Sequence, residues 1–545
     1  MRKSILMATI AISPMAALAD TFAVPMVPDA VTVFPQGAII QSRTVVRATP
    51  GDHEIKFLIP PQGLQGTLPR FSVSGATVTG VSARRTLSEG VSVYYTEREQ
   101  RLMDRQDTLA DDQTDLSNRM TALSSHRAAL VDQATFLKSI RPATDAPQSL
   151  DDLKAIADYL PTALQQNADD GAAVDLQIAQ AQTEWTDLAG EINRLNAEIA
   201  RAGLPNDAWW EVVLTTTQPD AGDIDIRMAA FAPDAGWSPF YEVRLDETQG
   251  QVHLDRRAQL RQNTGQGWSG VQVTLSSAQP FQRVDPVLPR RDVVDLMNES
   301  KAGGYAVSSR MAEPLAAPEL MAADVVQNFS TTAGVFDGVA VTFDLANRQN
   351  IATGATQGQM IQLAPLTLDV DVDRFANARH DTNAFVRAQM RNTTGEPILS
   401  GQAEFYRDAT LIGSRPMALI AAGAKTDLFF GPDQTLPITL KFLSEQSGDS
   451  GFFSQSNTRK EDISFQVENL GEAAQDVVVT YALPISVDED LDVDLAFSTR
   501  PNRTDVDGEP GVAEWDITVP AGGQDAIGLT FQITWPEGSA IQWAP

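Results

Sequence analysis

The sequence predicts a mainly β fold with an inserted α-helical coiled-coil hairpin, preceded by a small N-terminal β domain and followed by C-terminal antiparallel β-sandwich-like domains. Three observations lead there. Apolar and polar residues alternate with period 2 over residues 20–95 and again over residues 206–283 and 335–545, the signature of strands with one buried face. Between those regions Leu102, Leu109, Leu116, Leu123, Leu130 and Leu137 recur at every seventh position. A length of 545 residues exceeds what one core serves and suggests about three or four domains.

Residues 1–19 read as a signal peptide: Arg2-Lys3 forms a charged start, Ile5 to Leu18 is mostly apolar, and Ala17-Leu18-Ala19 is a small-x-small cleavage site. Cleavage there leaves Asp20 first and implies export, most simply to the periplasm. Ser13-Pro14 interrupts the apolar run, which is short of the roughly 20 residues a membrane span needs, and no later segment of the mature chain reads as transmembrane.

Residues 20–95 contain the strand-like runs Val31 to Pro35, Ala38 to Arg47, His53 to Pro60 and Val73 to Arg85, separated by Pro-Gln-Gly and Pro-Gly punctuation. Residues 96–205 change period. The first helix is expected over Thr96 to Ile140, with Gln106, Gln113, Met120, Arg127 and Ala134 between the leucines making its seam half polar. A second helix is expected over Gly171 to Ala202, where Val174, Ile178, Ala181, Trp185, Leu188, Ile192, Leu195 and Ile199 alternate spacings of three and four. Arg141-Pro142 stops the first helix, and a short third helix, Asp151 to Leu160, is expected at the tip. The two seams together predict an antiparallel hairpin roughly 65 Å long.

Trp209-Trp210 returns the chain to β structure, and an aromatic pair at such a junction is expected in a core. Residues 206–283 and 335–545 form the C-terminal β-rich region, read as two sandwich-like modules. Ile463-Phe465-Val467, Val477-Val479-Tyr481, Trp515-Ile517-Val519 and Ile527-Leu529-Phe531-Ile533-Trp535 each set large apolar residues on one face. Residues 284–334 lack either period and suit a mobile insertion.

The densest pattern runs from Gly236 to Pro280. Tyr241, Val243 and Leu245 alternate with charged residues, Asn263-Thr264-Gly265 and Gly267-Trp268 supply turn chemistry, and Val271, Val273 and Leu275 resume the alternation. Its fixed types are Trp237, Pro239, Tyr241, Gln262, Thr264, Gly265, Trp268, Leu275, Ser276, Ala278 and Pro280. In this order they resemble the domain of unknown function of mucoidy inhibitor A-type bacterial proteins, which carries an acidic pair where this chain has Gln266-Gly267. Val31, Val33, Phe34, Gly37 and Ala38, and the segments 392–408, 467–472 and 481–493, resemble the same family. The resemblance implies an envelope protein with an N-terminal β domain, a helical hairpin and β-rich C-terminal modules, and no established reaction.

Composition narrows the function classes. With 41 basic against 71 acidic residues the net charge is −30, which disfavours nucleic acid and anionic membrane as partners. Zero cysteines remove disulfides, thiol catalysis and zinc-thiolate sites. Gly448-Asp449-Ser450-Gly451 spells a protease-like loop, but a triad needs a positioned His and Asp, and only His53, His126, His253 and His380 exist. Asp369, Asp371 and Asp373 share one strand face and are candidate cation ligands; a solvated face explains their spacing equally. The acidic run Asp488 to Asp494 has the same two readings. No phosphate-binding loop, dinucleotide fingerprint, zinc-protease helix or nucleophile elbow occurs, so neither catalysis nor a cofactor is expected.

Trp237, Pro239, Tyr241, Thr264, Gly265 and Trp268 are apolar or backbone-shaping types, and a structural role is expected for them. Two functional readings stand. One is an exported structural or interaction protein whose hairpin binds envelope proteins, a homo-oligomer included. The other is an envelope hydrolase or carbohydrate-binding protein, which would need a carboxylate pair in a cleft.

Overall fold

A computed structural model describes residues 20–61, 69–87, 89–141, 149–280, 332–354, 358–449, 456–537, 539 and 541. The expected signal peptide, Ser450-Gly451 and all but the last three residues of the 284–334 insertion lie outside them. The fold is mainly β with a helical hairpin inserted, as the two sequence periods require. Among the described residues no helix is long and apolar enough to cross a membrane.

The chain divides into two compact units. The first comprises the described residues up to Phe240 with Arg257–Ser276 and Thr342–Ile361; the second comprises Tyr241–Arg256 and the described residues of Ser277–Val341 and Gln362–Pro545. These units do not follow the contiguous segments read from the sequence. In the first unit a four-stranded sheet runs Asp20–Ala23, Gly51–Ile59, Trp210–Gln218, Thr77–Arg84. A second sheet runs Trp268–Ser276, Val27–Val33, Ala38–Ala48, Gly222–Ala232, Arg70–Ser74. Strands before the hairpin thus pair with strands after it: Ala38↔Ala232 to Ala48↔Gly222, and Gly51↔Gln218 to Ile59↔Trp210. Period-2 patterning marks which face is buried but is silent on which distant strand completes the ladder, so 20–95 and 206–240 read as separate while they share one body. Ile55, Phe57, Val212, Leu214, Ile224, Ile226 and Met228 from both sheets form its core.

The hairpin is inserted between Thr77–Arg84 and Trp210–Gln218. Helix α1 (Glu97–Ser139) begins at a capping box in which Thr96 Oγ1 accepts from Glu99 N and the Glu99 carboxylate accepts from Thr96 N. Its heptad leucines Leu102, Leu109, Leu116, Leu130 and Leu137 are buried and Leu123 half-buried. The intervening Gln106, Gln113, Met120, Arg127 and Ala134 are each half-buried, as a half-polar seam requires. Helix α2 (Leu150–Ala202) corrects two expectations: the segment Asp151 to Leu160 is not a separate helix, and Gly171 is not a start. The seam explains this. Its alternating spacing continues backward without a break through Gly171, Asn167, Ala163-Leu164 and Leu160, so the tertiary contact outweighs the helix-breaking tendency of Pro161. Gly171 is buried because the Arg127 guanidinium crosses it, 3.6 Å from where a Cβ would stand.

At 1.5 Å per residue, α1 with 43 residues and α2 with 53 are about 65 and 80 Å long. They run antiparallel, with Arg98–Glu198, Arg105–Glu191, Arg119–Glu184 and Arg127–Asp175 paired across at 3.7, 2.5, 2.9 and 2.7 Å. These exposed pairs add little stability each, but every one sets an Arg of α1 against an acid of α2, which favours one register. Buried Asn167 reinforces it, donating to Leu130 O at 3.1 Å and Gln133 Oε1 at 3.0 Å.

The second unit contains two apolar cores. One gathers Tyr241, Val243, Leu245, Val252, Leu254, Val386, Phe405 and Phe430. The other gathers Ile463, Phe465, Val467, Val477, Val479, Tyr481, Trp515, Val519, Ile527, Leu529, Phe531 and Ile533, the positions the alternation singles out, with Ile517 and Trp535 packed at its edge. The long strand Lys425–Asp449 links them, pairing with Asn383–Arg391 and with Ser456–Glu468.

Leu195 packs with Leu102 and Leu109 near the root of the hairpin. Leu195→Ala should cost about 2–5 kcal/mol of hairpin stability. Circular dichroism should show helical signal melting below the β signal; coincident, unshifted melting would contradict the seam.

Candidate functional site

The turn after strand Gln251–Gln262 is built around a buried amide. Gln262 Oε1 accepts from Thr264 N at 3.0 Å and Thr264 Oγ1 at 2.8 Å, while its Nε2 donates to Gln266 O and Ile351 O, both at 3.2 Å. An amide can do this because it donates and accepts at once. Gly265 follows at φ +77°, where a side chain would be strained, and its N–H donates to Thr353 Oγ1 at 3.1 Å.

This turn receives the end of α2. The last carbonyls of a helix have no intrahelical donor. Here Gly267 N donates to Ala202 O at 2.7 Å and Thr353 N to Arg201 O at 3.3 Å. Gly203 ends the helix in the left-handed conformation at φ +59°. A Cβ on Gly267 would stand 2.7 Å from Ala202 O and 2.8 Å from Arg201 O; one on Gly203 would stand 2.6 Å from Gly265 O. Backbone meets backbone, and glycine alone fits. From the first turn of α1, Arg98 Nη1 donates to Ser269 Oγ at 3.1 Å. The lead-in to α1 is tied as well: buried Glu211 accepts from Tyr94 Oη at 2.6 Å and Arg84 Nε at 2.5 Å. Burial and the Glu211 carboxylate push the Tyr94 hydroxyl well above its ordinary pKa, so it stays a donor.

Each residue singled out from the sequence can now be placed. Thr264 and Gly265 shape the clasp, and Trp268, fully buried, follows it directly. Its Nε1 meets no hydrogen-bond partner. Trp237 is buried in the same unit, donating from Nε1 to Ser276 O at 2.9 Å and meeting Phe343 edge to face at 5.9 Å. Tyr241 belongs to the second unit, buried in its first core, with Oη donating to Leu399 O at 2.8 Å; burial raises its pKa above the usual value. Pro239 is half-buried in strand Ala235–Asp246. Trp209 packs with Leu58 and Tyr94, and Arg85 lies over the half-buried ring of Trp210.

Asp373 is held by Arg387 in a two-pronged ion pair at 2.8 and 2.6 Å, Asp369 accepts from Gln251 Nε2 at 3.0 Å, and Asp371 is exposed. The Arg387 guanidinium thus balances the charge of Asp373 without a cation. Among the described residues no three His, Asp or Glu are grouped to hold a metal ion.

Sequence reading passed over Gln262 as anything but a motif letter, and missed Gly203 and Thr353 altogether. The available signal was repetition. Asn392 accepts from Thr394 N and Oγ1 and donates to Glu396 O at 2.8 Å and Ile420 O at 3.1 Å; Asn469 accepts from Gly471 N and donates to Ala473 O at 2.8 Å and Val519 O at 3.0 Å. Asp433 makes the accepting half, from Thr435 N and Oγ1. Also missed was the buried pair Arg256–Glu396, at 2.7 Å, in the second unit.

The described residues thus define a class by fold: β sheets with an inserted helical hairpin, and a buried amide that closes a turn at Gln262 and again at Asn392 and Asn469. The chain belongs to the family described as a domain of unknown function, DUF4139, which matches residues 226–537, more than half of its length. Protein F37C4.5 of Caenorhabditis elegans is 23% identical over 288 residues, covering 50% of this chain and 51% of that protein. The chain therefore spans about half the length of the curated relative it matches. No solved structure matches it.

Gly267→Ala should loosen the hairpin root by about 1–3 kcal/mol, since the new methyl meets backbone that cannot step aside. Gly190→Ala, where a Cβ meets nothing within 4 Å, should instead stabilise α2 by about 0.5–1 kcal/mol. Equal thermal shifts for the two would contradict the clasp. Trp268→Ala should cost about 3–5 kcal/mol by chemical denaturation; a variant of unchanged stability that lost a ligand would make Trp268 a binding residue.

Proposed function

We propose that this is an exported envelope protein, akin to mucoidy inhibitor A-type proteins, whose hairpin is an antiparallel coiled coil serving as a protein-binding arm. The carrying observation is the far end of the hairpin, where Phe136, Leu150 and Tyr159 remain 67, 68 and 61% exposed. Val131 and Leu153 add to the same end. Single exposed apolar residues need no explanation; five within the terminal turns of two packed helices match what interaction surfaces show. The backbone clasp supports the reading, because a lever transmits or positions only if its root is fixed. Export is supported by the charged start, apolar run and small-x-small site in residues 1–19.

A photo-crosslinking residue at Phe136 or Tyr159 should capture an envelope protein, a second copy of this chain included, roughly tenfold more than one at exposed Asp112. Equal capture at all three positions, or recovery of the protein from the cytosol with residues 1–19 intact, would contradict the proposal.

A further inference from the structure

The two flanks of the hairpin differ in kind. One residue before the seam positions stand charges that pair across it, Arg105 with Glu191 and Arg119 with Glu184. One residue after them, α1 carries Thr114, Ser117, Thr121, Ser124, Ala128 and Val131, all exposed and uncharged. The corresponding positions of α2 are Ala172, Asp175, Ala179, Gln182, Thr186 and Ala189, and the single charge, Asp175, is paired with Arg127 at 2.7 Å. Because the residues before the seam share one side of the hairpin, those after it share the other. A two-stranded pair standing alone in water carries charge on both flanks; helices that are uncharged at the seam and at one flank belong to bundles, where a further helix covers that flank.

The uncharged flank can be buried at little cost. Thr114, Thr121 and Thr186 donate their hydroxyls to Ala110 O, Ser117 O and Gln182 O one turn back, at 3.0, 2.9 and 3.0 Å, so covering them strands no donor. The flank is also shaped. Half-buried Trp185 opens onto it, and a groove runs between its ring and Ser117, Met120, Thr121, Ser124 and Ala128. On α1 the flank stays free of charge from Ala110 to Thr135, and the groove lies at its middle.

We propose that this flank is covered by the same flank of a second copy, two hairpins forming an antiparallel four-helix bundle about a two-fold axis at the groove. Size, symmetry and charge select a second copy. Over Ala110 to Thr135 the flank is about 38 Å long and two helices wide, on the order of 700 Å² per copy, close to the ~800 Å² per partner of a stable interface. A self-complementary contact centred on the groove brings Trp185 of both copies to the middle, where aromatic anchors contribute most. With a net charge of −30 per chain, two copies repel wherever acid meets acid, and on this flank neither brings an unpaired charge. The antiparallel arrangement also sets the acidic β sheets of the two copies at opposite ends of the bundle. Phe136, Leu150 and Tyr159 lie away from this flank, so the inference stands apart from what the tip of the hairpin binds.

The test is sedimentation of the purified full chain over a range of micromolar concentrations, where a reversible dimer is expected. Thr121→Glu, at a position exposed in the single chain, sets like charges across the axis and should weaken dimerisation roughly tenfold or more, with helical circular dichroism unchanged. Asn118→Glu, the same charge on the exposed back of α1, should leave dimerisation as it is, and so should Phe136→Ser at the tip. The chain has no cysteine, so Ser124→Cys, beside the axis, should crosslink to its own copy, while Asp112→Cys on the charged flank should not. A monomer at every concentration would overturn the proposal. So would a dimer that Thr121→Glu does not weaken, one that Phe136→Ser abolishes, or equal crosslinking from Ser124→Cys and Asp112→Cys.

Discussion

The hydrogen bond from Gly267 N to Ala202 O, 2.7 Å long, is the contact on which the arrangement of the first unit depends. A helix ends with carbonyls that need donors, and a β-turn has amides to give. Joining them directly removes side chains from the junction, so no rotamer can let it bend. Such contact demands positions without a Cβ, which is why Gly203, Gly265 and Gly267 meet at one place. The turn must itself be rigid, and Gln262 makes it so by bonding to Thr264, Gln266 and the neighbouring strand. With the end of α2 held by Gly267 and the start of α1 by Arg98 and the Tyr94–Glu211–Arg84 cluster, a hairpin about 65 Å long has a fixed base.

The same device serves the second unit. Asn392 and Asn469 sit where a strand leaves its sheet, and each amide closes a turn onto itself and onto a distant segment, at Ile420 O for Asn392 and at Val519 O for Asn469. Asp433 shows why an amide is preferred: a carboxylate accepts from Thr435 but has nothing to donate, and Arg374 is drawn in to balance it. Burial alone would raise the Asp433 pKa, yet the bonds from Thr435 and Arg374 hold it below the ordinary carboxylate range. Nearby in sequence to Asn392, Glu396 pairs with Arg256 in a buried site, where losing either partner would leave an uncompensated charge.

How far the sequence reveals this depends on whether each feature is local. Strand faces and both helical seams were legible because burial has a period, and Leu102 through Leu137 lie where period seven puts them. The unity of α2 was not legible from local rules, because Pro161 and Gly171 argue for breaks that only the opposing helix overrides. The pairing of Ala38–Ala48 with Gly222–Ala232 was hidden because the whole hairpin lies between them in sequence. Of the candidate site, Thr264, Gly265 and Trp268 stood out by type. Gly203 and Thr353 did not, since a close approach leaves no periodic trace.

Hydrogen exchange at single amides tests the central claim most directly. If the hairpin is fused to the β body through the clasp, the Gly267 amide should be as protected as Gly203 N, bonded to Ile199 O, and the two should open together as denaturant rises. Free exchange at Gly267 while the last turn of α2 stays protected would show that the hairpin is hinged at its root, and the account of a fixed lever would fall.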